Sequence, residues 1–392
     1  MQLFKRRVYA DAAAATPLSS RSSAELTRLL HIYGNPGGLH KEALEAMREL
    51  EAARERVADA LGAHADEIIF TSGGTEGNNM ALGGAVSALV ANYEKPRVLT
   101  LSIEHPSVLE PLRALAGEGI ISLEELPVLR DGRLDIKVFK EALTAHVGLI
   151  SIQLINSEVG TIQDIRELMK LVRHARRERT TPLYVHTDAS QAPLWLPLQV
   201  EKLGVDLMTL DGQKIMGPKG VGALFIKRGT NLQPVVFGGG QERGLRSGTQ
   251  NMPLIGSFAV ALEDAQRGIE ARTTNVARVR DYLMQEIKKQ VPEAEFFGAE
   301  AEWRVANNCS LRVPGLLGDM AVLALDAEGV AASTRSACST DEEAPSHVIR
   351  ALGVSATEAR EALRLTLLPT VTTGDVHIIV SALKNVVRRY RQ

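Results

Sequence analysis

Hydrophobic and polar positions along the chain alternate between two periods, one typical of α-helices and one typical of β-strands. Residues 41–61 repeat apolar side chains at helical spacing among charges, which predicts an amphipathic helix. Residues 147–154 are almost continuously apolar, as expected for a strand covered on both faces. Further strands are predicted at 67–70, 97–102, 183–187, 206–210 and 222–226, and further helices at 75–91, 106–116 and 163–177. This alternation predicts an α/β fold with a mostly parallel sheet covered by helices.

The pattern changes near residue 253, which indicates a second folding unit. One long helical stretch is predicted from there to about residue 290, and the strands that follow are shorter and more widely spaced. We therefore expect a large domain at 16–256 and a smaller α+β domain formed by 1–15 and 257–392.

Composition and charge narrow the function classes. A hydrophobic content of 45% and a charged content of 23% are typical of a soluble globular protein. A net charge of −2 gives no electrostatic reason to expect nucleic acid or an anionic membrane as a partner. No apolar run reaches the length needed to span a membrane. The chain has two cysteines, which is too few for a disulfide framework and fits a reducing cytoplasm.

An acid and a lysine at neighbouring strand ends give the sharpest chemical signal. Asp188 ends one predicted strand, and Lys214 follows another after a short turn. Sites in parallel sheets lie at the carboxyl ends of the strands. Pyridoxal 5'-phosphate (PLP) needs a lysine to attach it and an acid to keep its ring nitrogen protonated. An isolated lysine in a turn would more often be an ordinary surface residue.

Three other positions could serve such a cofactor or its substrate, although each also has a structural interpretation. Gly74 and Thr75 begin a predicted helix, whose free backbone N–H groups can bind a phosphate or simply be capped. His105 at a strand end could stack on a planar ring or be a structural histidine. Arg364 lies inside an apolar strand, where it could bind a substrate carboxylate or form an internal salt bridge.

The two cysteines differ in their surroundings. Cys338 lies among small polar residues, which suggests an exposed thiol that can react once its pKa is lowered. Cys309 precedes an apolar strand, and we expect it to serve packing.

Taken together, these segments resemble the cysteine desulfurases, which belong to the aminotransferase class V branch of the fold-type I PLP enzymes. The resemblance covers nearly the whole chain and includes the subgroup's long cysteine loop around Ser336-Ala-Cys338. The matching motifs are Tyr9-Ala-Asp11, Gly34-Asn-Pro36, Thr71-Ser-Gly-Gly-Thr-Glu76, Glu104-His105, Glu158-Val-Gly-Thr-Ile-Gln163, His186-Thr-Asp-Ala-Ser-Gln191, Lys214 with Gly217-Pro-Lys-Gly220, and Gly238-Gly-Gly-Gln-Glu-Arg-Gly-Leu-Arg-Ser-Gly-Thr249.

The resemblance implies a role for each matched position. Catalytic roles fall to Lys214 as the Schiff-base lysine and proton carrier, to His105 as the ring-stacking residue that assists proton transfer, and to Cys338 as the nucleophile. Arg364 would hold the substrate carboxylate, with Asn156 and Ser157 beside it. Cofactor contacts are implied for Gly74, Thr75, His105, Asp188 at the ring nitrogen, Gln191 at the phenolic oxygen, Gln213, Lys214, and Thr249 toward the phosphate of a partner subunit in a homodimer.

The chain departs from the family pattern at four positions. Ser157 stands where the family has a second asparagine, Asp211 and Gln213 stand for the usual serine and histidine before the lysine, and Arg335 replaces a glycine of the cysteine loop. A carboxylate beside a phosphate is unfavourable in a half-buried site. We therefore expect one of two arrangements. Asp211 turns away and pairs with a nearby cation, which we favour, or the phosphate depends more on the 74–75 helix N-terminus and on Thr249.

The sequence thus predicts a PLP-dependent cysteine desulfurase that converts L-cysteine to L-alanine and leaves a persulfide on Cys338. The sulfur would go to an acceptor protein for iron–sulfur cluster or thiolated-cofactor assembly. No metal site is expected. Two alternatives stay open: selenocysteine lyase or another class V PLP enzyme, and a non-catalytic scaffold that binds sulfur-acceptor proteins.

Overall fold

The structure is a computed structural model in which residues 6–91, 93–334 and 345–390 are described. The strands within these ranges are β1 (Val8–Tyr9), β2 (Ile68–Thr71), β3 (Arg97–Leu101), β4 (Ser122–Leu126), β5 (Val147–Ser151), β6 (Tyr184–Asp188), β7 (Leu207–Asp211), β8 (Gly222–Ile226), β9 (Glu295–Phe296), β10 (Asn308–Arg312), β11 (Val330–Ala331) and β12 (Ala362–Thr366). The helices are α1 (Ser20–Leu29), α2 (Lys41–Leu61), α3 (Gly74–Leu89), α4 (Pro106–Gly117), α5 (Ile136–Ala142), α6 (Ile165–Arg177), α7 (Val200–Leu203), α8 (Met252–Gln266), α9 (Ile269–Gln290), α10 (Gly318–Ala327), α11 (His347–Ala351), α12 (Ala356–Ala359) and α13 (Thr373–Tyr390).

The main sheet has seven strands in the order β2-β8-β7-β6-β5-β3-β4 across the described chain. β8 is antiparallel to both of its neighbours, and the other pairs are parallel. All strands except β8 therefore run in one direction, and their carboxyl ends meet at one edge of the sheet. The predicted α/β fold with a mostly parallel sheet is confirmed.

Helices cover both faces of this sheet. On β2, Ile68 and Phe70 pack into one apolar cluster with α2 and α8, whereas Ile69 packs into a second cluster with α3 and α4. Both faces of the strand are therefore apolar, which explains the continuous hydrophobic runs in the sequence.

The C-terminal part of the chain adds two small sheets. One joins β12, β10 and β9, and the other pairs β1 with β11 in parallel. Asp11 also bridges to Thr366, the last residue of β12. These pairings connect the first residues with the last third of the chain, as the predicted domain division requires, and that division stays a prediction.

The predicted helical stretch from about 253 to 290 is present but is divided in two. Two helices, α8 and α9, occupy this stretch, and Gly268 between them has a positive φ of 61°. A glycine adopts this left-handed conformation without the steric penalty that other residues meet. Among the described helices, none combines the length and apolar character needed to cross a bilayer.

A buried ion pair forms hydrogen bonds to the backbone of β2, the edge strand of the main sheet. Arg54 on α2 and Glu242 are joined by two hydrogen bonds of 2.8 Å. The pair also satisfies the edge backbone, because Arg54 donates to Ile68 O and Glu242 accepts from Phe70 N, both at 2.8 Å. The guanidinium lies 4.8 Å from the Phe70 ring centre.

We expect Arg54→Met to destabilise the protein by about 3–5 kcal/mol, because it leaves the Glu242 carboxylate buried without its cation. The check is the free energy of unfolding in urea. Arg56→Met is the matched control on the same helix, since the Arg56 side chain is 40% exposed and lies 3.9 Å from Glu25, a contact worth less than about 1 kcal/mol. Equal effects of the two substitutions would contradict this assignment.

Candidate active site

A pocket with a cavity volume of about 70 Å³ lies at the carboxyl edge of the main sheet. Its lining includes most of the residues that the sequence singled out, delivered by separate strand ends. Lining residues predicted as functional are Gly74, Thr75, His105, Ser157, Asp188, Gln191, Gln213, Lys214 and Arg364.

Lys214 ends a short helical turn, Gly212–Lys214, that follows β7 directly. Its Nζ donates to the carbonyl oxygens of Ala13 and Ala14 at 2.9 and 2.6 Å. The Gln191 amide also donates to Ala13 O, at 2.9 Å. The N-terminal segment thus lies against the lysine and fixes one wall of the pocket.

Asp188 at the end of β6 accepts two hydrogen bonds. Its Oδ1 accepts from the Ser190 backbone N–H at 2.9 Å, and its Oδ2 accepts from the Asn78 amide at 2.8 Å. These two donors fix the orientation of the carboxylate in the pocket.

His105 caps the N-terminus of α4. Its Nδ1 accepts from the Ser107 N–H at 3.1 Å and lies 2.8 Å from Ser107 Oγ. Burial lowers the pKa of His105, and this effect outweighs the nearby Asp188 carboxylate, which raises it. The neutral imidazole is therefore favoured near neutral pH.

Gly74 begins α3 at the pocket, where there is no room for a larger residue. A Cβ at Gly74 would lie 3.0 Å from Ser190 Oγ and 3.2 Å from Asp211 Oδ2. Ser190 Oγ is buried and has no hydrogen-bond partner within the described chain. The helix N-terminus and this hydroxyl together form a cradle with donors for an anion.

Asp211 does not turn away, so the expectation that it pairs with a cation is wrong. It lines the pocket, its Oδ1 accepts from the Gln213 N–H at 3.1 Å, and its Oδ2 accepts from the Gln213 amide at 3.3 Å. It makes no salt bridge with any residue in the described ranges. The reason is local. Asp211 caps the turn that carries Lys214, and this cap directs its carboxylate toward the backbone N–H of Gln213.

Arg364 on β12 has a side chain only 1% exposed and lines the pocket. Its Nη2 donates to Asp11 Oδ1 at 2.8 Å, and its Nη1 donates to the Ser157 carbonyl at 3.1 Å. Its Nε is buried without a partner among the described residues. Arg364 therefore forms an internal salt bridge and also lines the pocket, so the structure shows a feature of each interpretation given for it from the sequence.

Two predicted site residues, Asn156 and Thr249, do not line the pocket. Asn156 is buried beside the pocket, where it donates to Ile103 O at 3.0 Å and caps the turn at 158–159. Thr249 is exposed in the loop before α8 and does not line the pocket. Cys338 and Arg335 lie outside the described residues.

The sequence interpretation missed Asn78 and Ser107, which link Asp188 to His105. Asn78 could have been found, because it lies four residues after Gly74 and therefore on the same face of α3. Asp11 was noted in a motif, but its partner Arg364 is 353 positions away. No set of three or more metal-ligating side chains is present in the part of the chain that the structure describes.

Comparison with known proteins places these features in a family. The profile of the family described as aminotransferase class-V matches residues 8–379. The protein named cysteine desulfurase IscS from Dictyoglomus turgidum is 38% identical over 99% of this chain and 96% of its own length. Cysteine desulfurase IscS 1 from Archaeoglobus fulgidus is 36% identical over 98% of this chain and 97% of its own length.

Solved structures agree. A structure titled NIFS-like protein has a TM-score of 0.90 and 32% identity, covering 98% of this chain and 100% of its own. A structure titled SspA in complex with cysteine has a TM-score of 0.78 and 32% identity, covering 92% of this chain and 99% of its own. The fold, the family profile and the full-length similarity agree, and the chain belongs to the cysteine desulfurases of the aminotransferase class V family.

Proposed function

We propose that this protein is a PLP-dependent enzyme that converts L-cysteine to L-alanine and retains the sulfur as a persulfide on Cys338. The observation that carries the proposal is the meeting of Lys214, Asp188 and His105 in one pocket. An amine, an ionised acid and a neutral imidazole at one site are the groups that this chemistry requires.

The residues of the pocket fit the cofactor. The cradle at Gly74 that a Cβ would fill, together with the buried Ser190 hydroxyl, suits a phosphate. The proposed contacts are Gly74, Thr75 and Gln213 for the phosphate, Asp188 for the ring nitrogen, Gln191 for the phenolic oxygen, His105 for the ring face, Lys214 for the covalent link, and Thr249 toward the phosphate in a partner subunit. When bound, PLP supplies an electron sink for the pair left on the substrate α-carbon after proton loss.

The chain's own groups then bind the substrate and move protons. Lys214 Nζ would take the proton from the α-carbon, and it is kept beside the site by the carbonyls of Ala13 and Ala14. His105, neutral because burial lowers its pKa, would hold or donate a proton at its second ring nitrogen.

Arg364 would bind the carboxylate of cysteine. Its guanidinium is held in place by Asp11 and by the backbone carbonyl of Ser157, and Nε has no partner among the described residues. A planar guanidinium fixed in this way suits a carboxylate. Ser157 binds Arg364 through its backbone carbonyl, so having serine in place of asparagine leaves this contact intact. The departure at residue 157 therefore gives little support to a non-catalytic scaffold.

The transfer of sulfur needs no oxidant or reductant other than the substrate and the enzyme thiolate. The Cys338 thiolate attacks the substrate sulfur, the carbon–sulfur bond breaks, and a sulfur–sulfur bond forms. The electron pair of the broken carbon–sulfur bond stays on the substrate carbon, which takes up a proton and becomes the methyl group of alanine. Both sulfurs are oxidised to the persulfide level. Cys309 cannot take this part, because burial raises the pKa of its thiol to about 12.

We propose three further properties that follow from family membership. The enzyme would act as a homodimer, since Thr249 is exposed and available to a second copy. It would pass sulfur to an acceptor protein, and it would work in the cytoplasm. Selenocysteine stays open as an additional substrate.

Lys214, and not its neighbour Lys219, is expected to carry the cofactor. Borohydride reduction of the loaded protein followed by peptide mapping should find the modification on Lys214, and Lys214→Ala should lose both the label and turnover. Lys219→Ala is the matched control and should keep both. A label on Lys219 in the unaltered protein would disprove this assignment.

Cys338→Ser should still bind PLP and cysteine but release no alanine above background, because a hydroxyl is a poor nucleophile at neutral pH. Cys309→Ala should keep turnover, since it changes only a buried packing contact. Mass spectrometry after cysteine treatment should place the extra sulfur on Cys338. Extra sulfur found on Cys309 alone would refute the proposed carrier.

Asp211→Ser should bind PLP as tightly as the unaltered protein or more tightly, because a carboxylate in the cradle repels a phosphate by about 1 kcal/mol or more. Serine keeps the cap of the turn before Lys214, whereas the control Asp211→Ala removes cap and charge together. Gln213→His should tighten binding. The measurement is titration of the cofactor-free protein with PLP, and a tenfold loss of affinity in Asp211→Ser would show that the aspartate supports the site.

A further inference from the structure

An unbroken chain of hydrogen bonds joins the two acid–base groups of the pocket. The Asn78 amide nitrogen lies 2.8 Å from Asp188 Oδ2 and 2.8 Å from Ser107 Oγ. Ser107 Oγ lies 2.8 Å from His105 Nδ1. Asn78 is fully buried and Ser107 is 9% exposed, so bulk water cannot easily replace these contacts.

Donor and acceptor chemistry fixes the direction of every bond in this chain. The Asp188 carboxylate only accepts, so Asn78 must present its NH₂ group and use one hydrogen there. The second hydrogen goes to Ser107 Oγ, which accepts it. The hydroxyl hydrogen of Ser107 is then free to point at His105 Nδ1.

His105 Nδ1 also accepts from the Ser107 backbone N–H at 3.1 Å. Two donors therefore converge on one ring nitrogen, which must be unprotonated. The proton of the neutral ring is consequently on Nε2.

We propose that Asn78 and Ser107 are positioning residues that lock His105 in the Nε2-protonated neutral tautomer and tie this state to the orientation of Asp188. Protonation of Nδ1 would set its hydrogen against the Ser107 N–H and force the hydroxyl to turn. The effect of this tautomer on cysteine turnover rests on the proposed function, whereas the tautomer itself does not.

The charged groups around His105 come from several elements. Burial is the largest influence and lowers the pKa of His105; Asp188 and Glu158 raise it, and Lys214 and His347 lower it. His347 is close because its Nε2 lies 2.9 Å from the backbone oxygen of Glu104. The bonds from Ser107 favour the neutral ring and so act in the same direction as burial.

The first test is nitrogen NMR of histidine-labelled, cofactor-free protein, with the His105 signals assigned from His105→Gln. Between about pH 6 and pH 9, the unaltered protein should show Nε2 protonated and Nδ1 unprotonated. Ser107→Ala keeps the backbone N–H donor and loses only the hydroxyl. It should therefore keep the Nε2-protonated tautomer but raise the titration midpoint of His105 by about half to one pH unit, the effect of losing one hydrogen bond. Ser107→Thr should restore the original state.

Asn79→Ala is the matched control, because Asn79 is exposed one position along α3 and its side-chain amide donates to the Thr75 carbonyl of its own helix. It should leave the His105 signals unchanged. Asn78→Ala should act as Ser107→Ala does, and thermal melting checks that each variant is folded.

The second test is the pH profile of kcat/KM for cysteine in the loaded enzyme. The acid limb of Ser107→Ala should move upward by the same shift as the NMR midpoint. A protonated Nδ1 in the unaltered protein overturns the proposal. So does a folded Ser107→Ala variant with an unchanged titration midpoint of His105. If the NMR results are as expected but no alanine forms from cysteine, the tautomer lock stands and the proposed function fails.

Discussion

The negative charge of Asp188 is the interaction on which the pocket depends. It is held by the Asn78 amide and the Ser190 N–H, and three buried groups respond to it. It raises the pKa of Glu104, of His105 and of His186, although burial sets the direction for both histidines. Because neighbouring charges act strongly where water is excluded, neutralising this one carboxylate would change the protonation balance of the whole site.

Much of the fold was predictable because its strands are covered on both faces. Helix α2 and strand β8 match their predicted bounds, since local periodicity alone defines them. The break at Gly268 was missed because the residues on either side keep helical periodicity, and a single backbone conformation interrupts the helix. Periodicity reports which faces are buried and does not report where the chain changes direction.

The site was predictable to the extent that strand ends define it. Lys214, Asp188 and His105 met as expected, because the carboxyl ends of parallel strands share one edge. Asp211 was misjudged because its charge was weighed against a phosphate, while its role in capping the Lys214 turn was not considered. The link through Asn78 required three elements to be placed in space, which residue spacing cannot supply.

The N-terminal segment has a consequence for how the protein is made. Asp11 contacts Arg364, which lies 353 positions later in the chain. Ala13 and Ala14 contact Lys214, which lies about 200 positions later. Domains form as units while a chain leaves the ribosome from its N-terminus. The main sheet can therefore assemble early, whereas the Asp11–Arg364 contact forms only after strand β12 has emerged. Truncated products that end before β12 would therefore keep the contacts of Ala13 and Ala14 with Lys214 but lack the Asp11–Arg364 ion pair.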